Sequence, residues 1–203
     1  MQLLIATQNE GKVREFRRAL TGTAPFVELL SAKDAGLTEF PPEVGSSYTQ
    51  NAAVKAVYAA EQTGLYSLGD DSGLEVEALD GAPGLYSARF GGELSNEERL
   101  TYLLGKLEDV PDKARDARFV CALVLATPQG ERHTFWGECQ GEITRSATGA
   151  GGFGYDPVFY SHDLQKTFAE ASSEEKEHVS HRGRAVAQLG EWLKEEERLK
   201  KKD

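Results

Sequence analysis

The chain opens with a short apolar run that is followed by an amphipathic segment. Residues 2–6, QLLIA, are nearly continuous apolar positions and predict a buried strand. Residues 11–20, GKVREFRRAL, space their apolar positions three and four apart, which predicts a helix that Asn9 can cap. A second strand is expected at residues 26–31, FVELLS. The chain therefore starts as strand, polar turn and helix, and the free N–H groups of such a helix start can bind an anion.

The next part of the chain alternates helical and extended patterns. An alanine-rich helix is expected from about Ser47 to a glycine stop at Gly64. A strand is expected at residues 74–79, LEVEAL, because apolar and polar residues alternate there. Ser95 and Glu98 then form a capping box in front of another apolar helical stripe.

The second half begins with two long apolar strands that a Pro-Gln-Gly turn joins into a hairpin within residues 117–144. A glycine-rich loop and a short strand within residues 156–160 follow, and helix is expected from about Ser172 to the end. This order favours an α/β fold, or α+β with a mixed sheet. Because no repeat, low-complexity block or long linker interrupts the 203 residues, we expect a single domain over residues 1–203.

The composition limits the possible partners. With 39% hydrophobic and 28% charged residues it is typical of a soluble globular protein, and no apolar run approaches the roughly 20 residues of a membrane span. A net charge of −10 without a basic stripe argues against a DNA or RNA strand, but not against nucleotides held by local lysines and a divalent cation. The tail KEEERLKKKD is expected to be a solvated helix end. Cys121 and Cys139 are expected to be buried thiols in a reducing cytoplasm.

The sequence does not satisfy either of two familiar nucleotide-binding motifs. A Walker loop needs a glycine where Ala6 stands and a hydroxyl where Val13 stands. The run GAGGFGYDP at residues 149–157 matches G-x-G-x-x-G, but it leads into a strand and not into the helix of a dinucleotide fold. Its Phe153 and Tyr155 suit stacking on a base, with core packing of the rings as the alternative.

The segment GDDSG places two adjacent carboxylates, Asp70 and Asp71, after a short apolar stretch. Successive residues of an extended chain point to opposite sides, so only one of them can aim straight at a ligand while the other supports it. Hard-cation chemistry with phosphates needs only one or two carboxylates. The alternative is an Asp-Ser-Gly surface turn.

The segment SSEEKEHVSHRGRA concentrates basic side chains, namely Lys176, His178, His181 and Arg182. Helical spacing would put His178 and Arg182 on one face, and a cationic helix start could bind a phosphate or a base edge. Solvated surface is the alternative. The two histidines lack matching ligands for zinc, and no serine is paired with a histidine for nucleophilic catalysis.

Five stretches occur in order from residue 6 to residue 185: ATQNEGKVREF, SYTQNAAVKA, GDDSGLEVEALDGAPGLYSARF, TGAGGFGYDPVF and EEKEHVSHRGRA. Through them the chain resembles the inosine triphosphate pyrophosphatases, also called dITP/XTP diphosphatases. The resemblance implies a long mixed β-sheet with helices, split into two lobes around a substrate cleft, and a homodimer. It also implies Mg²⁺-dependent hydrolysis of ITP, dITP and XTP to the monophosphate and pyrophosphate, which would cleanse the nucleotide pool.

The same resemblance implies the residues of the site. Asp71 and Lys55 match catalytic residues, and Asp71 with Glu43 matches the metal ligands. Asp70 stands beside them as a support or a further ligand. The residues that match substrate contacts are Thr7, Gln8, Asn9, Glu10, Gly11, Lys12, Ser72, Phe153, Gly154, Tyr155, Asp156, Lys176, His181 and Arg182. Gln8 replaces the small residue that the family has after Thr7, which leaves the fine geometry of this turn open.

Two rival functions remain open at this point. One is a pyrophosphatase of related fold that acts on modified pyrimidine nucleotides, and the other is a nucleotide-binding regulatory module without turnover. Glu43, Asp71 and Lys55 favour an enzyme, because binding alone does not call for a water-activating carboxylate. For base choice, donors such as Arg182 and the backbone near Phe153 would pair with O6 of hypoxanthine or xanthine and leave adenine unpaired.

Overall fold

The structure is a computed structural model that describes residues 1–200, so the last three residues of the basic tail lie outside the described part. Its strands are β1 Gln2–Ile5, β2 Glu28–Ser31, β3 Tyr66–Val76, β4 Asp116–Ala126, β5 Arg132–Ile143, β6 Phe159–Ser161 and β7 Lys166–Thr167. Its α-helices are α1 Glu10–Thr23, α2 Tyr48–Thr63, α3 Asn96–Lys106, α4 Ser173–Val179 and α5 His181–Lys200. Short 3₁₀ segments occur at Glu77–Leu79, Gly84–Arg89 and Asp112–Ala114.

The strands form one mixed sheet in the order β2-β1-β3-β4-β5-β6-β7. Strand β1 is parallel to both of its neighbours, with Leu4 opposite Leu30 of β2 and Ser67 of β3. Strand β6 is antiparallel to β5 and to β7. The mixed α/β class that the sequence predicts is therefore confirmed.

The chain divides into two compact units. The first comprises residues 1–71, residues 121–137 and the chain from residue 182 onward. The second comprises residues 72–120 and 138–181. The boundaries fall inside strands β3, β4 and β5 and directly after His181. The expected substrate cleft and the description of the chain as one domain stay predictions.

The first unit buries helices on both faces of its strands. On one face, Phe16 of α1 and Leu189 of α5 belong to the same core as Leu68 of β3. On the other face, the small residues of α2 pack closely, with Ala56 in one core with Val124 of β4. Small residues on α2 allow the helix to approach the sheet closely.

The second unit has an aromatic core. The rings of Phe119 and Phe159 lie with centroids 4.6 Å apart, and the ring of Phe168 lies 4.9 Å from that of Phe159. Leu103 and Leu107, from α3 and its end, complete the same cluster. Aromatic pairs at these separations add to the stabilisation that comes from their buried area.

The starts of α1 and α3 and both ends of α2 lie where the local sequence predicts them. The side chain of Asn9 accepts a hydrogen bond from the backbone N–H of Lys12 at the start of α1. The side chain of Ser47 caps α2, and Gly64 ends it with a φ of 67°. The capping box of α3 is also formed. These ends depend on short-range hydrogen bonds, so they could be predicted from neighbouring residues alone.

Strand β3 differs from its prediction, because it is one continuous strand of 11 residues. Asp70 and Asp71 lie inside this strand and are 1% and 6% exposed, so the alternative of a surface turn is wrong. The strand ends at Val76, and Glu77–Leu79 is a 3₁₀ segment where an extended chain was expected. Strand β2 likewise covers only the second part of residues 26–31.

The C-terminal helical region also differs from its prediction. Within the described residues, the region expected to be helical from about Ser172 is helical, but Ser180, with a ψ of 155°, divides it into α4 and α5. His178 and Arg182 belong to different helices and do not share a helix face. The first two side chains after the break, those of His181 and Arg182, contact residues far away in the sequence, and such contacts override helix propensity.

Two composition-based expectations can be compared with the structure. Cys121 and Cys139 are free thiols and are buried, as predicted. None of the helices in residues 1–200 is both long enough and apolar enough to cross a membrane.

Candidate active site

Strand β3 directs two neighbouring carboxylates to opposite faces of the sheet in the first unit. At Gly69, a Cβ would lie 2.0 Å from the carbonyl oxygen of Ala52, so only glycine lets α2 approach the strand this closely. Leu68 and Asp70 face α1 and α5, whereas Asp71 faces α2. The prediction that these two neighbouring side chains point to opposite sides of the strand is confirmed.

Asp70 is surrounded by positive charge. Its carboxylate forms an ion pair with the ammonium group of Lys12, and its Oδ2 lies 3.3 Å from Nε of Arg182. The thiol of Cys121 donates to the same oxygen over 3.2 Å. Burial alone would raise the pKa of Asp70, but the charges of Lys12, Arg182 and Lys55 outweigh it and hold the pKa below its usual value. The carboxylate is therefore kept ionised.

Arg182 is 3% exposed, and two carboxylates hold its guanidinium group. Besides Asp70, it pairs with Glu15 of α1 and lies 5.7 Å from the ring centroid of Phe16. Burial acts to lower the pKa of Arg182, but Asp70 and Glu15 raise it above its usual value. Lys12, Asp70, Arg182 and Glu15 thus form one cluster of alternating charges. The contact of Arg182 with a purine O6 stays a prediction.

Asp71 has a different environment on the α2 side. The side-chain amide of Asn51 donates to its Oδ2 over 2.9 Å. Burial raises the pKa of Asp71 to about 6, the charge of Lys55 and the bond from Asn51 oppose this rise, and the negative charge of Glu43 adds to it. A carboxylate with a pKa near neutrality can take up and release a proton at physiological pH.

Lys55 lies one helical turn after Asn51 and joins three parts of the first unit. Its ammonium group donates to Oε1 of Glu43 and to the backbone carbonyl of Asp70, each over 2.5 Å. The residue is 8% exposed. Lys55 thereby holds the carboxylate of Glu43 against strand β3 and brings a positive charge close to Asp71.

Glu43 and Asp71 fit a divalent cation. Because the charge of Glu43 raises the pKa of Asp71, the two carboxylates repel each other, and a cation between them would relieve that repulsion. Among the described residues no three Asp, Glu, His or Cys side chains gather into a ligand cluster. Mg²⁺ commonly takes one or two carboxylates together with substrate phosphates, so this pair suits it. Asp70, enclosed by cations on the opposite face, suits the role of support better than that of a ligand.

The turn before α1 is the predicted phosphate cradle. The hydroxyl of Thr7 accepts from the backbone N–H of Asn9 over 3.2 Å, and Asn9 in turn caps the helix. The first N–H groups of α1 and the positive end of its dipole therefore border a fixed turn, which is a suitable place for an anion. The remaining predicted residues of this turn are Gln8 and Glu10, which are exposed, and Gly11, which is buried.

The second unit carries the predicted base-binding loop. Phe153 stands between Gly152 and Gly154, whose φ values are 72° and 61°. Oδ2 of Asp156 accepts from the backbone N–H of Phe153 over 2.7 Å and from Lys176 over 2.6 Å. A Cβ at Gly152 would lie 2.1 Å from this same oxygen, so the tight turn needs glycine there. Asp156 therefore fixes the backbone of the loop.

The two aromatic residues of this loop have different environments. The ring of Phe153 is half-buried, and Nζ of Lys176 lies 4.9 Å from its centroid. The ring of Tyr155 belongs to the core, and its hydroxyl donates to the carbonyl of Ser87 over 2.8 Å. Of the two alternatives for these rings, Phe153 fits stacking on a ligand and Tyr155 fits core packing. A substrate contact at Tyr155 stays a prediction that concerns its backbone.

Other predicted residues of the second unit are placed as follows. The ring of His181 stacks on that of Phe119, with centroids 4.7 Å apart and planes at 11°. Ser72 is half-buried and continues β3. His178 is exposed, and its Nδ1 lies 2.8 Å from the carbonyl of Glu174 within its own helix.

Several residues that shape these clusters were not predicted from the sequence. Asn51 precedes Lys55 by four residues, and Glu15 follows Lys12 by three. Both spacings put two side chains on one helix face, so this signal could have identified Asn51 and Glu15. Cys121 carried no signal beyond its place in an apolar strand.

Comparison with known proteins identifies the family. A model of the Ham1 family matches residues 3–192. The chain belongs to the Ham1 family. A Thermus thermophilus protein named dITP/XTP pyrophosphatase is 47% identical over 196 residues, which are 96% of this chain and 93% of the relative. A protein of the same name from Geobacter sulfurreducens is 49% identical over 95% of this chain and 96% of its own.

The fold comparison agrees with this membership. A Ham1 protein from Coxiella burnetii superimposes with a TM-score of 0.85 at 37% identity, covering 96% of this chain and 99% of that one. The resemblance to dITP/XTP diphosphatases that the sequence motifs indicate is therefore confirmed. In this Ham1-family chain, every residue predicted for the site lies inside the matched span.

Proposed function

We propose that this protein hydrolyses the purine nucleoside triphosphates ITP, dITP and XTP to the monophosphate and pyrophosphate, with Mg²⁺ as cofactor. The observation that carries the proposal is Asp71, a buried carboxylate with a pKa raised to about 6 and flanked by Lys55 and Glu43. The names of the Ham1-family relatives support the same reaction. A regulatory module would have no need for such a carboxylate.

Asp71 is proposed to orient the attacking water and to accept its proton. A base works best when its pKa is near the working pH, and the environment of Asp71 moves its pKa in that direction. The hydrogen bond from Asn51 fixes the orientation of this carboxylate. Asp70 takes no proton, because its cationic neighbours keep it ionised.

Glu43 and Asp71 would hold the Mg²⁺ ion. When bound, the ion supplies positive charge that neutralises oxygens of the triphosphate. Lys12 and Lys55 would add two further positive charges, and the start of α1 would offer N–H groups to the phosphates. In a protein with a net charge of −10, such local cations are needed to bind a highly charged anion.

The purine is assigned to the loop of Phe153 in the second unit. Stacking on an aromatic ring is worth about 1–3 kcal/mol per base and does not depend on which purine is present. Selection of the 6-keto purines over adenine therefore needs donors to O6, for which Arg182 and the backbone N–H groups of this loop are the candidates.

Two further parts of the proposal concern the state of the protein. We infer that it works as a homodimer, which light scattering at micromolar concentration would test. We also infer that it works in the cytoplasm, and two free buried thiols are consistent with a reducing compartment.

The proposal is tested by pyrophosphate release from ITP, dITP, XTP, GTP, ATP and dTTP, with Mg²⁺ and with a chelator. We expect kcat/KM for ITP, dITP and XTP to exceed that for ATP at least about tenfold, or about 1.4 kcal/mol, and release to need Mg²⁺. Asp71→Asn is the inactive reference, and Asp109→Asn, at an exposed position, is its control for charge. A preference for pyrimidine nucleotides, or binding without release of pyrophosphate, would point to the rival functions.

A further inference from the structure

Asn51 is a buried side-chain amide whose two ends have different partners. It lies in the first turn of α2 and is 2% exposed. Its Oδ1 accepts from the backbone N–H of Gly45 over 2.8 Å, and its Nδ2 donates to Oδ2 of Asp71 over 2.9 Å. One planar group therefore connects the loop before α2 with strand β3.

The chemistry of the two partners requires an amide at this position. A backbone N–H needs an acceptor and a carboxylate needs a donor, and the planar amide of asparagine offers the two on separate atoms whatever the pH. Aspartate in its place would keep the acceptor for Gly45 but would put a second negative charge beside Asp71. Leucine would offer neither group.

The loop is shaped to receive this amide. A Cβ at Gly45 would lie 2.6 Å from Oδ1 of Asn51, so the loop backbone comes as close as a glycine allows. Gly45 follows Glu43 by two residues, and the carboxylate of Glu43 is held by Lys55. The position of Asn51 thus bears on both acidic residues that the proposed function assigns to the cation.

We propose that Asn51 is a positioning residue that sets the carboxylates of Glu43 and Asp71 relative to each other. This inference rests on the proposed function, which gives those two carboxylates their role. Partners of metal-binding residues commonly change metal affinity or activity 10–100-fold when they are removed. The same loss is expected at Asn51, which acts through its hydrogen bonds to Gly45 and Asp71.

Gln50 provides a matched control in the same helical turn. Its side-chain oxygen accepts from the backbone N–H of Ser46 over 2.8 Å, so it also anchors the loop, but it is exposed. Gln50→Ala is expected to leave kcat for ITP within about threefold of wild type.

The test combines kinetics with hydrogen exchange in Asn51→Leu and Asn51→Asp. We expect kcat for ITP to fall about 10–100-fold in both variants, and the half-saturating Mg²⁺ concentration to rise about tenfold with KM for ITP little changed. Amide exchange at Gly45 should accelerate in Asn51→Leu and stay protected in Asn51→Asp, which keeps the acceptor. Gly45→Ala disturbs the same contact from the loop side and serves if Asn51→Leu does not fold.

Each outcome bears on the inference. A kcat within about threefold of wild type in both Asn51 variants overturns it, as does unchanged exchange at Gly45 in Asn51→Leu. An equal loss of activity in Gln50→Ala also overturns it, because any loop anchor would then suffice. If wild-type protein releases no pyrophosphate from any nucleotide, the proposed function fails, and the exchange data still decide whether Asn51 holds the loop.

Discussion

Asp70 and Asp71 are consecutive residues of β3, and their carboxylates face opposite sides of the sheet in the first unit. Lys12 and Arg182 help to hold the pKa of Asp70 below its usual value, whereas burial raises the pKa of Asp71 to about 6. Two identical side chains are thus given different protonation behaviour by their surroundings, a common basis for assigning acid and base roles. Asp70 serves as a fixed negative charge, and Asp71 can exchange a proton.

Asp71→Asn should abolish turnover and stabilise the metal-free protein. A rise in pKa from 3.8 to about 6 means that the ionised carboxylate costs up to about 3 kcal/mol of the free energy of unfolding above pH 6. Because the folded state holds this proton more tightly than the unfolded state, protonation of Asp71 stabilises the folded protein. This stabilisation is fully present below about pH 4 and is lost as the pH rises through 6. Urea denaturation at pH 5 and pH 7.5 measures it.

The free energy of unfolding of Asp71→Asn should therefore exceed that of wild type, and the difference should be larger at pH 7.5 than at pH 5. Asp109→Asn, at an exposed position, should show no such difference. Turnover of ITP within about tenfold of wild type would remove Asp71 from the mechanism, since it would mean a barrier change of only about 1.4 kcal/mol.

The two ends of α2 follow from short-range chemistry, and the position of the acidic pair does not. Ser47 and Gly64 mark the ends of α2 through local effects: the side chain of Ser47 caps the start of the helix, and Gly64 adopts the positive φ that ends it. The segment GDDSG has the composition of a turn, yet Asp70 lies in a strand because Lys12 and Arg182, 58 and 112 residues away, neutralise it. Sequence patterns within a window of some ten residues cannot report such partners.

In the candidate site, too, some features can be predicted from the sequence and others depend on distant residues. The turn at Asn9 and the motif residues Lys55 and Asp71 could be found from the sequence, because resemblance to a family gives positions directly. The break at Ser180 could not, since HVSHRG has no helix-stopping residue before the glycine. Directly after this break, the ring of His181 stacks on that of Phe119, a contact across 62 residues that a local sequence pattern does not contain.

Lys55→Ala and Lys12→Ala should weaken ITP hydrolysis in different ways. Lys55 contacts Glu43 and lowers the pKa of Asp71, so its loss should reduce kcat as well as raise KM. Lys12 pairs with buried Asp70, so its loss should raise KM and also lower the free energy of unfolding by about 1–3 kcal/mol. Steady-state kinetics at two ionic strengths and urea denaturation separate the two effects.

Lys33→Ala, at an exposed position, is the control for loss of a positive charge. If neither Lys12→Ala nor Lys55→Ala changes the kinetics, and ionic strength has no effect either, the phosphate cradle has been placed wrongly.

Arg182→Lys should test base selection while keeping a cation beside Asp70. A planar guanidinium group that donates to O6 gives discrimination of about 1–3 kcal/mol, and lysine does not reproduce its geometry. We expect the ratio of kcat/KM for ITP over ATP to fall at least about fivefold. Arg182→Ala should show the same fall but also unfold at a lower urea concentration, because Asp70 and Glu15 lose a buried partner.

Arg18→Ala, at an exposed position of α1, should leave the ITP/ATP ratio unchanged. An unchanged ratio in both Arg182 variants would move base reading to the backbone of residues 153–156. An equal fall in kcat/KM for ITP and for ATP would instead mean that Arg182 acts on the phosphates or on the fold.

Phe153→Ala and Tyr155→Phe should separate stacking from core packing within one loop. Stacking on Phe153 does not distinguish purines, so Phe153→Ala should lower kcat/KM for ITP, XTP and GTP by similar factors, about 1–3 kcal/mol. Phe153→Leu should show a smaller loss of kcat/KM than Phe153→Ala but should not reach the wild-type value, because leucine keeps apolar area without a ring face. Tyr155→Phe removes the bond to Ser87, so it should lower the unfolding free energy by about 1 kcal/mol and leave KM unchanged. Loss of selectivity among purines in Phe153→Ala would contradict pure stacking, because a ring face alone cannot tell one purine edge from another.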